Sequence, residues 1–567
     1  MPSARTVLWG SLAASLAAIA LVCLLGVGLG APVATAAAAT ATERSAASAG
    51  DRRASIFYTA EVHGTLEPCG CTSDPLGDIA RYAALVRSAR EQGVATLLVD
   101  AGGLLYGEGG VSPKERPADD LRAKFLATEL TNLGLRGAGL GETDLVAGAA
   151  LVQPKRLASN LGGAAVIEPA HVETVGGIKI GLVGVADPAL ATTLGVTGEE
   201  PAKAASRDVE RLRREGAEIV IVLAPVDRST ARRVARDAGA DFVVAGRQVG
   251  KGSTRAEKVG AAFLVSPADE LQRVGRIDLV LRRGGGGLVD AGGAEANQAR
   301  MAELDAAIKR LDDDLARWSG GSGDTAFVAS KRTQRSELAA ERARLAQPFV
   351  PPPSGSYFTN RLIALNRELG RDGTMGAAMK RLDAKIAAVN LKHALPPPAP
   401  EPGRAFYVGM NKCVTCHKSA AAFWKTTVHA EAWQTLVAAG KQADYKCVAC
   451  HVTGYGQVGG TSLGHSKGLS DVQCETCHGP GSIHVAEKGL EEPSSVHRDT
   501  PETTCLGCHN EHHSDTFQYA AYLRDVLGAG HGQSARAKLG DGQTGHELRS
   551  AAQNRAHTAA ADQATKL

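Results

Sequence analysis

The sequence predicts three folded parts: a layered α/β domain, a helical connector with a coiled-coil-like stripe, and a mainly α-helical C-terminal domain. Three observations carry this. Between residues 55 and 283, short β-rich apolar runs alternate with helix-like segments, the pattern of a sheet buried between helices. Between residues 297 and 395, apolar side chains recur at steps of three and four, which draws one stripe along a helix. Between residues 405 and 531, the pentapeptide Cys-x-x-Cys-His occurs four times and takes eight of the eleven cysteines.

The chain opens with Arg5 ahead of a largely apolar run from Val7 to Leu29, followed by Ala34-Thr35-Ala36. That is the layout of an export signal with a small-residue cleavage site, and it assigns residues 1–36. The run approaches the roughly 20 residues that span a bilayer, so an uncleaved anchor in the inner membrane is the alternative. Cys23 follows the large Val22, which argues against a lipoprotein site. Residues 37–54 are mostly Ala, Thr, Ser and Gly and read as a linker. The 567 residues suffice for about three domains, and 63 basic against 60 acidic side chains argue against nucleic acid as a partner.

In the α/β part, strands are expected at Ile56–Ala60, Ala95–Val99, Ile178–Val185, Ile219–Leu223 and Phe242–Ala245. Helices are expected at Ile79–Gln92, Leu121–Leu133 and Ala202–Glu215. Loops after the strands are where such a domain keeps its chemistry. Here they read Glu61-Val62-His63-Gly64, Asp100-Ala101-Gly102-Gly103, Gly141-Glu142-Thr143-Asp144, Leu223-Ala224-Pro225 and Gly246-Arg247-Gln248. In this order, and with Gly177-Ile178-Lys179-Ile180-Gly181-Leu182-Val183-Gly184, they resemble the metallophosphoesterase domain of the periplasmic 5'-nucleotidase family.

That resemblance implies a site for two metal ions built from an Asp-x-His pair, a second Asp, an Asn-His pair and two later histidine loops. Glu61 stands in place of the first Asp, and His63 is kept. Gly103 replaces the bridging Asp, Glu142 and Thr143 replace Asn and His, Pro225 replaces a His, and Arg247 interrupts the last motif. Two cations about 4 Å apart need several fixed carboxylates and imidazoles. The expectation is therefore a fold retained for docking or ligand binding, with an active metallophosphoesterase as the alternative.

Cys69 and Cys71, one residue apart in Leu66-Glu67-Pro68-Cys69-Gly70-Cys71, cannot attach a haem. In an exported protein they read either as a disulfide or inert thiol pair, or as a redox-active or metal-binding pair facing the C-terminal domain. In the connector, Met301, Leu304, Ile308, Leu311, Leu315 and Trp318 form the first stripe, Lys331 to Leu345 a second helix, and Met379, Leu382, Ile386, Val389 and His393 a further stripe. These are expected to pack on each other or on neighbouring parts. The Pro-rich residues 396–404 form a linker.

The four motifs are Cys413/Cys416/His417, Cys447/Cys450/His451, Cys474/Cys477/His478 and Cys505/Cys508/His509. Two thiols one helical turn apart add to the vinyl groups of one haem, and the adjoining histidine coordinates the iron from its proximal side. Zinc would explain the cysteine pairs but not a histidine after each. The cofactor expected is haem c, covalent, in four copies, and such attachment takes place on the periplasmic side of the inner membrane.

From Tyr407, the stretches Asn411-Lys412-Cys413-Val414-Thr415-Cys416-His417-Lys418, Phe423-Trp424-Lys425-Thr426-Thr427-Val428-His429-Ala430, Cys447 to Gly456 and Cys474 to Gly481 resemble the tetrahaem cytochrome c-554 family. The resemblance implies His429, His484 and His531 as distal ligands, and a second haem, on His451, with no distal histidine. His465 is the candidate that could close it. His497, His512 and His513 are read as solvated side chains, and residues 532–567 as a disordered tail. The expected function is periplasmic electron transfer with redox-protein partners; the alternative is reduction of a small nitrogen compound, of nitric oxide or hydroxylamine type, at an open haem.

Overall fold

The computed structural model describes residues 50–68, 72–247, 250, 252–284, 287–292, 294–318, 325–347, 354–490, 494–510 and 512–564. The export segment, most of the linker, Cys69 and Cys71 lie outside the described residues.

The α/β region begins β1 (Arg52–Thr59), α1 (Ile79–Glu91), β2 (Thr96–Asp100), α2 (Arg116–Leu133), β3 (Leu135–Ala138). It continues β4 (Arg156–Leu157), β5 (Ile167–Glu168), β6 (His171–Val175), β7 (Ile178–Gly184), α3 (Pro201–Arg214), β8 (Ile219–Ala224), α4 (Arg228–Asp237) and β9 (Phe242–Ala245). Then come β10 (Glu257–Val259), β11 (Ala262–Val265), β12 (Arg273–Leu281), β13 (Val289–Asp290), α5 (Ala294–Trp318), α6 (Thr325–Leu345), β14 (Tyr357–Ala364) and α7 (Gly373–Lys392).

Two six-stranded mixed sheets result, ordered β13-β14-β12-β1-β2-β3 and β10-β11-β9-β8-β7-β6. Alternate residues of a strand point to opposite faces, and the sequence uses both. Ile56 and Tyr58 of β1, Ile219, Ile221 and Leu223 of β8 and Phe242 of β9 fill the space between the sheets. Phe57 faces α1, α2 and α7, whereas Val220 and Val222 face α3 and α4. The domain is thus helix, sheet, sheet, helix in four layers. Because both faces of each sheet are covered, its strands read as continuous apolar runs.

Three expectations about extent are corrected. Strand β1 starts at Arg52, inside the stretch read as linker, because Arg52 and Arg53 pair with Leu281 and Val280 of β12. The connector is not helical throughout, since β14 pairs antiparallel with β12 from Arg273↔Ala364 to Val280↔Tyr357. Its last stripe belongs to the α/β core, where Met375, Met379, Leu382 and Ile386 of α7 are buried with α1 and α2. What remains of the connector is the hairpin α5/α6, whose antiparallel course shows in the pairs Arg300–Glu341, Asp305–Arg342 and Asp312–Arg335.

The C-terminal tail is also corrected. It contains a helix, Gly545–Ala564, with Ala552 and Ala560 buried. The Gln563 amide donates to Ala364 O at 2.8 Å and accepts from Ala364 N at 3.0 Å, at the end of β14. Small alanines make this helix look polar and featureless in sequence while letting it lie close to its neighbours.

Between these parts, residues 405–531 form short helices and loops with few buried apolar side chains. The apolar cluster there is Val448, Val452 and Leu463. Among the described residues, no helix is long and apolar enough to cross a membrane.

Candidate haem cavity and the residual α/β site

The space that apolar side chains do not fill is a cavity of about 3230 Å³, several times the ~300–1,000 Å³ of an ordinary small-molecule pocket. All eight motif cysteines and all four motif histidines line it. Each motif is wound so that this can happen. His417 N donates to Cys413 O at 2.9 Å and His509 N to Cys505 O at 2.8 Å, and Cys474–His478 is itself a turn of helix. Residues i, i+3 and i+4 then share one side.

The motifs adjoin in an order that differs from the chain. Cys413 lies within hydrogen-bonding reach of Cys474, and Cys450 within reach of Cys508. Cys477 and Cys505 are near enough to interact electrostatically. The spatial order is therefore first, third, fourth and second motif.

Three motif imidazoles are held through Nδ1. It meets Ala432 O at 2.5 Å in His451 and His497 O at 2.7 Å in His478, and in His509 it meets Ser514 Oγ at 3.1 Å. Such contacts fix ring orientation and leave Nε2 for a metal. His497, expected to be merely solvated, thus orients His478 through its carbonyl.

Near two of the four motif histidines stand imidazoles already named as distal candidates. His417 and His484 have ring centroids 6.3 Å apart, and His429 and His509 6.2 Å apart. A metal about 2 Å from the near nitrogen of each ring requires centroids roughly 6 Å apart, and both pairs have that separation. His531 is close enough to His478 for the two to interact electrostatically. Its Nδ1 is buried with no hydrogen-bond partner. Burial, and then His429, push His509 down to about 4. Burial likewise lowers His429, which favours the neutral form that binds metal.

His451 differs. Beyond its Nδ1 contacts with Ala432 and Thr435, no imidazole stands opposite it among the described residues. His465 does not close this position: it is exposed, its backbone turns on Ser462, and it is not part of the cavity wall. The cavity therefore fits the cofactor that the motifs imply: imidazoles pair with the histidines of the first and fourth motifs, His531 lies within electrostatic reach of that of the third, and none pairs with His451 among the described residues.

Sequence reasoning missed Glu475, inside the third motif. It is 3% exposed, and its carboxylate accepts from Val408 N, Gly409 N and Gly481 N at 2.7–3.1 Å. One buried carboxylate thereby ties the strand of chain entering the first motif to the loop after the third. A glutamate beside a motif cysteine carries no signal of this in sequence, because all three partners are backbone amides.

The residual α/β site is closed by its own side chains. Glu61 and His63 both have positive φ, 49° and 55°, and Glu61 Oε2 meets His63 Nε2 at 2.9 Å. Burial disfavours the His63 charge, but the Glu61 contact and nearby acids outweigh it and raise its pKa. At Gly103 a Cβ would sit 2.3 Å from Glu61 Oε2, and at Gly102 one would sit 2.9 Å from the Pro225 ring.

The remaining carboxylates are spent on structure. Asp100 accepts from Thr59 Oγ1 at 2.6 Å and Gly102 N at 2.8 Å. Asp144 accepts from Gly141 N, Leu104 N and Leu105 N and is paired with the buried Arg156 at 3.2 Å. Glu142 is exposed beside Arg247, which also pairs with Asp187. No group of three or more metal-ligating side chains forms among the described residues.

Comparison with known proteins falls on the same two regions. The family described as cytochrome c554 and c-prime matches residues 412–479. Cytochrome c-554 of Nitrosomonas europaea is 40% identical over 91 residues, 13% of this chain and 39% of the relative, so the chain spans well under half of that protein. Its reduced-state structure aligns with TM-score 0.17 and 27% identity over 24% of this chain and 79% of that one. A 5'-nucleotidase precursor from Thermus thermophilus aligns with TM-score 0.41 and 15% identity over 69% of this chain and 68% of that one. Sulfate thiohydrolase SoxB of Thermus thermophilus aligns with TM-score 0.38 and 15% identity over 66% and 68%. Residues 412–479 of this chain thus match the family described as cytochrome c554 and c-prime.

Proposed function

We propose that this protein is a periplasmic electron carrier with four covalently attached haems, and that its α/β domain docks a partner or binds a ligand without hydrolysing phosphate esters. The observation that supports the first part is the placement of all four motifs around one cavity, with thiols of successive motifs adjoining. Haem supplies a one-electron couple when bound. The chain's own part is to hold the attachment points at fixed separations, to orient the imidazoles of His451, His478 and His509 through Nδ1, and to keep bulk water from the cavity centre. Redox proteins of the periplasm are the partners, and the N-terminal segment either exports the chain or tethers it to the inner membrane.

Retention of a fold without hydrolysis is supported by Gly103 and Pro225, which stand where ligands would be needed, and by the Glu61 carboxylate lying against Gly103. Haem content per chain, with phosphate release from nucleotides in the presence of Mn²⁺, Zn²⁺ or Mg²⁺, tests both parts. Four haems and no release are expected. Fewer haems, or metal-dependent release, contradicts the corresponding part.

One observation favours a second reading. His451 has no imidazole opposite it among the described residues, which suits reversible binding and reduction of a small nitrogen compound at that iron.

A further inference from the structure

The contacts between the α/β domain and the haem region converge on a short stretch just before the second motif. Lys441 is held between Glu67 and Asp383, the latter at 2.6 Å. Asp444 receives Arg122 at 2.5 Å, and Arg122 also binds Asp119 at 2.8 Å. Asp119 in turn receives Lys446 at 2.9 Å. Between these charges, Asn390 Nδ2 donates to Ala443 O at 2.9 Å, and Lys114 lies over the Tyr445 ring at 5.6 Å. A second grip falls just after the fourth motif, where Ser73 N donates to Asp515 at 2.9 Å. Since Cys450 and Cys508 adjoin, both grips bracket one corner of the cavity.

That corner belongs to the motif whose histidine has no imidazole facing it. The α/β domain also supplies part of the cavity wall, including His63, Glu67, Arg122, Arg273 and Asp383. The clamp is neither a dry core nor a loose surface pair. The side chains of Lys441, Arg122 and Asp444 are 20%, 10% and 10% exposed. Burial opposes the Lys441 charge, yet Glu67 and Asp383 outweigh it and raise its pKa. Half-buried pairs of this kind lose most of their hold when one partner is neutralised, because the other charge is left desolvated. Salt screens them only in part, less than it screens exposed pairs.

We propose that the α/β domain is the gate of the His451 haem, with the ionic clamp on residues 441–446 setting how fast a small uncharged ligand reaches that iron. This rests on the reading of His451 as the motif with an open axial position. It gives the α/β domain a role that needs no metal: it covers one side of the cavity and yields when its ion pairs are released.

The test uses the full-length, haem-loaded, reduced protein and carbon monoxide as the probe. Association is followed by absorbance in stopped flow, at low salt and at about 1 M salt, where the screening length is about 3 Å. The wild-type rate should rise about twofold with salt as the clamp loosens in part. The Glu67→Gln/Asp383→Asn double variant should be fast already at low salt and should not respond to more. Amide exchange of residues 441–446 should lose protection in step with the rate, which gives a second readout independent of ligand. A wild-type rate that ignores salt, with exchange at 441–446 also unchanged, overturns the gate even if the variant fails to fold. Failure of carbon monoxide to bind at all overturns the open-position reading and the gate with it, whereas binding at one unvarying rate overturns the gate alone.

Discussion

At Gly103 a single residue decides what a site can hold. A side chain there would collide with the Glu61 carboxylate, so Glu61 can lie against this loop only because residue 103 is glycine. The neighbouring Asp100 is fully buried. Burial pushes its pKa up to about 7, despite hydrogen bonds from Thr59 and Gly102 that favour the charge, and Asp144 pushes in the same direction. Its folded value lies above its unfolded one, so its contribution to stability is complete below about pH 4 and is lost as pH rises through about 7. Asp100→Asn, which cannot ionise, should remove that decline, worth about 4 kcal/mol at most. The measurement is the pH dependence of the α/β domain's unfolding midpoint between pH 4 and 8. An identical slope in variant and wild type would show that Asp100 titrates no differently when folded.

At the level of elements, α7 decides where the α/β domain ends. Ile386 is 3% exposed in the core with α1 and α2, and Ile386→Ala should destabilise that domain by about 2–5 kcal/mol. Chemical denaturation followed by α/β-domain fluorescence reads this; no change in stability would return α7 to a connector. The same elements show what sequence makes legible. The strands at Ile178, Ile219 and Phe242 were readable because covered sheets demand continuous apolar runs. Strand β14 was not, since it follows the Pro351–Pro353 run and carries Asn360 and Arg361, whose partners Tyr58 and Asp278 are remote in sequence. The haem motifs were fully legible, being local in spacing. Of the histidines named as distal candidates, His429 and His484 lie about 6 Å from motif histidines, whereas the exposure of His465 and the contacts of the His497 carbonyl and Glu475 depend on chain segments meeting in space.

For the whole molecule, the C-terminal region lacks an ordinary apolar core and surrounds a cavity of about 3230 Å³. A fold of this kind is completed by its cofactors, which replace side chains as the buried apolar surface. The α/β domain closes one side, and the terminal helix Gly545–Ala564 returns to the end of β14, so the two ends of the described chain brace the same assembly. In the proposed function this cavity holds four haems, three with His484, His429 or His531 as a second imidazole and one on His451 without. Electron paramagnetic resonance of the oxidised full-length protein, with spins quantified against chain concentration, tests it most directly. Three low-spin ferric equivalents and one high-spin equivalent per chain are expected; four low-spin equivalents, or a total below four, would contradict the proposed function.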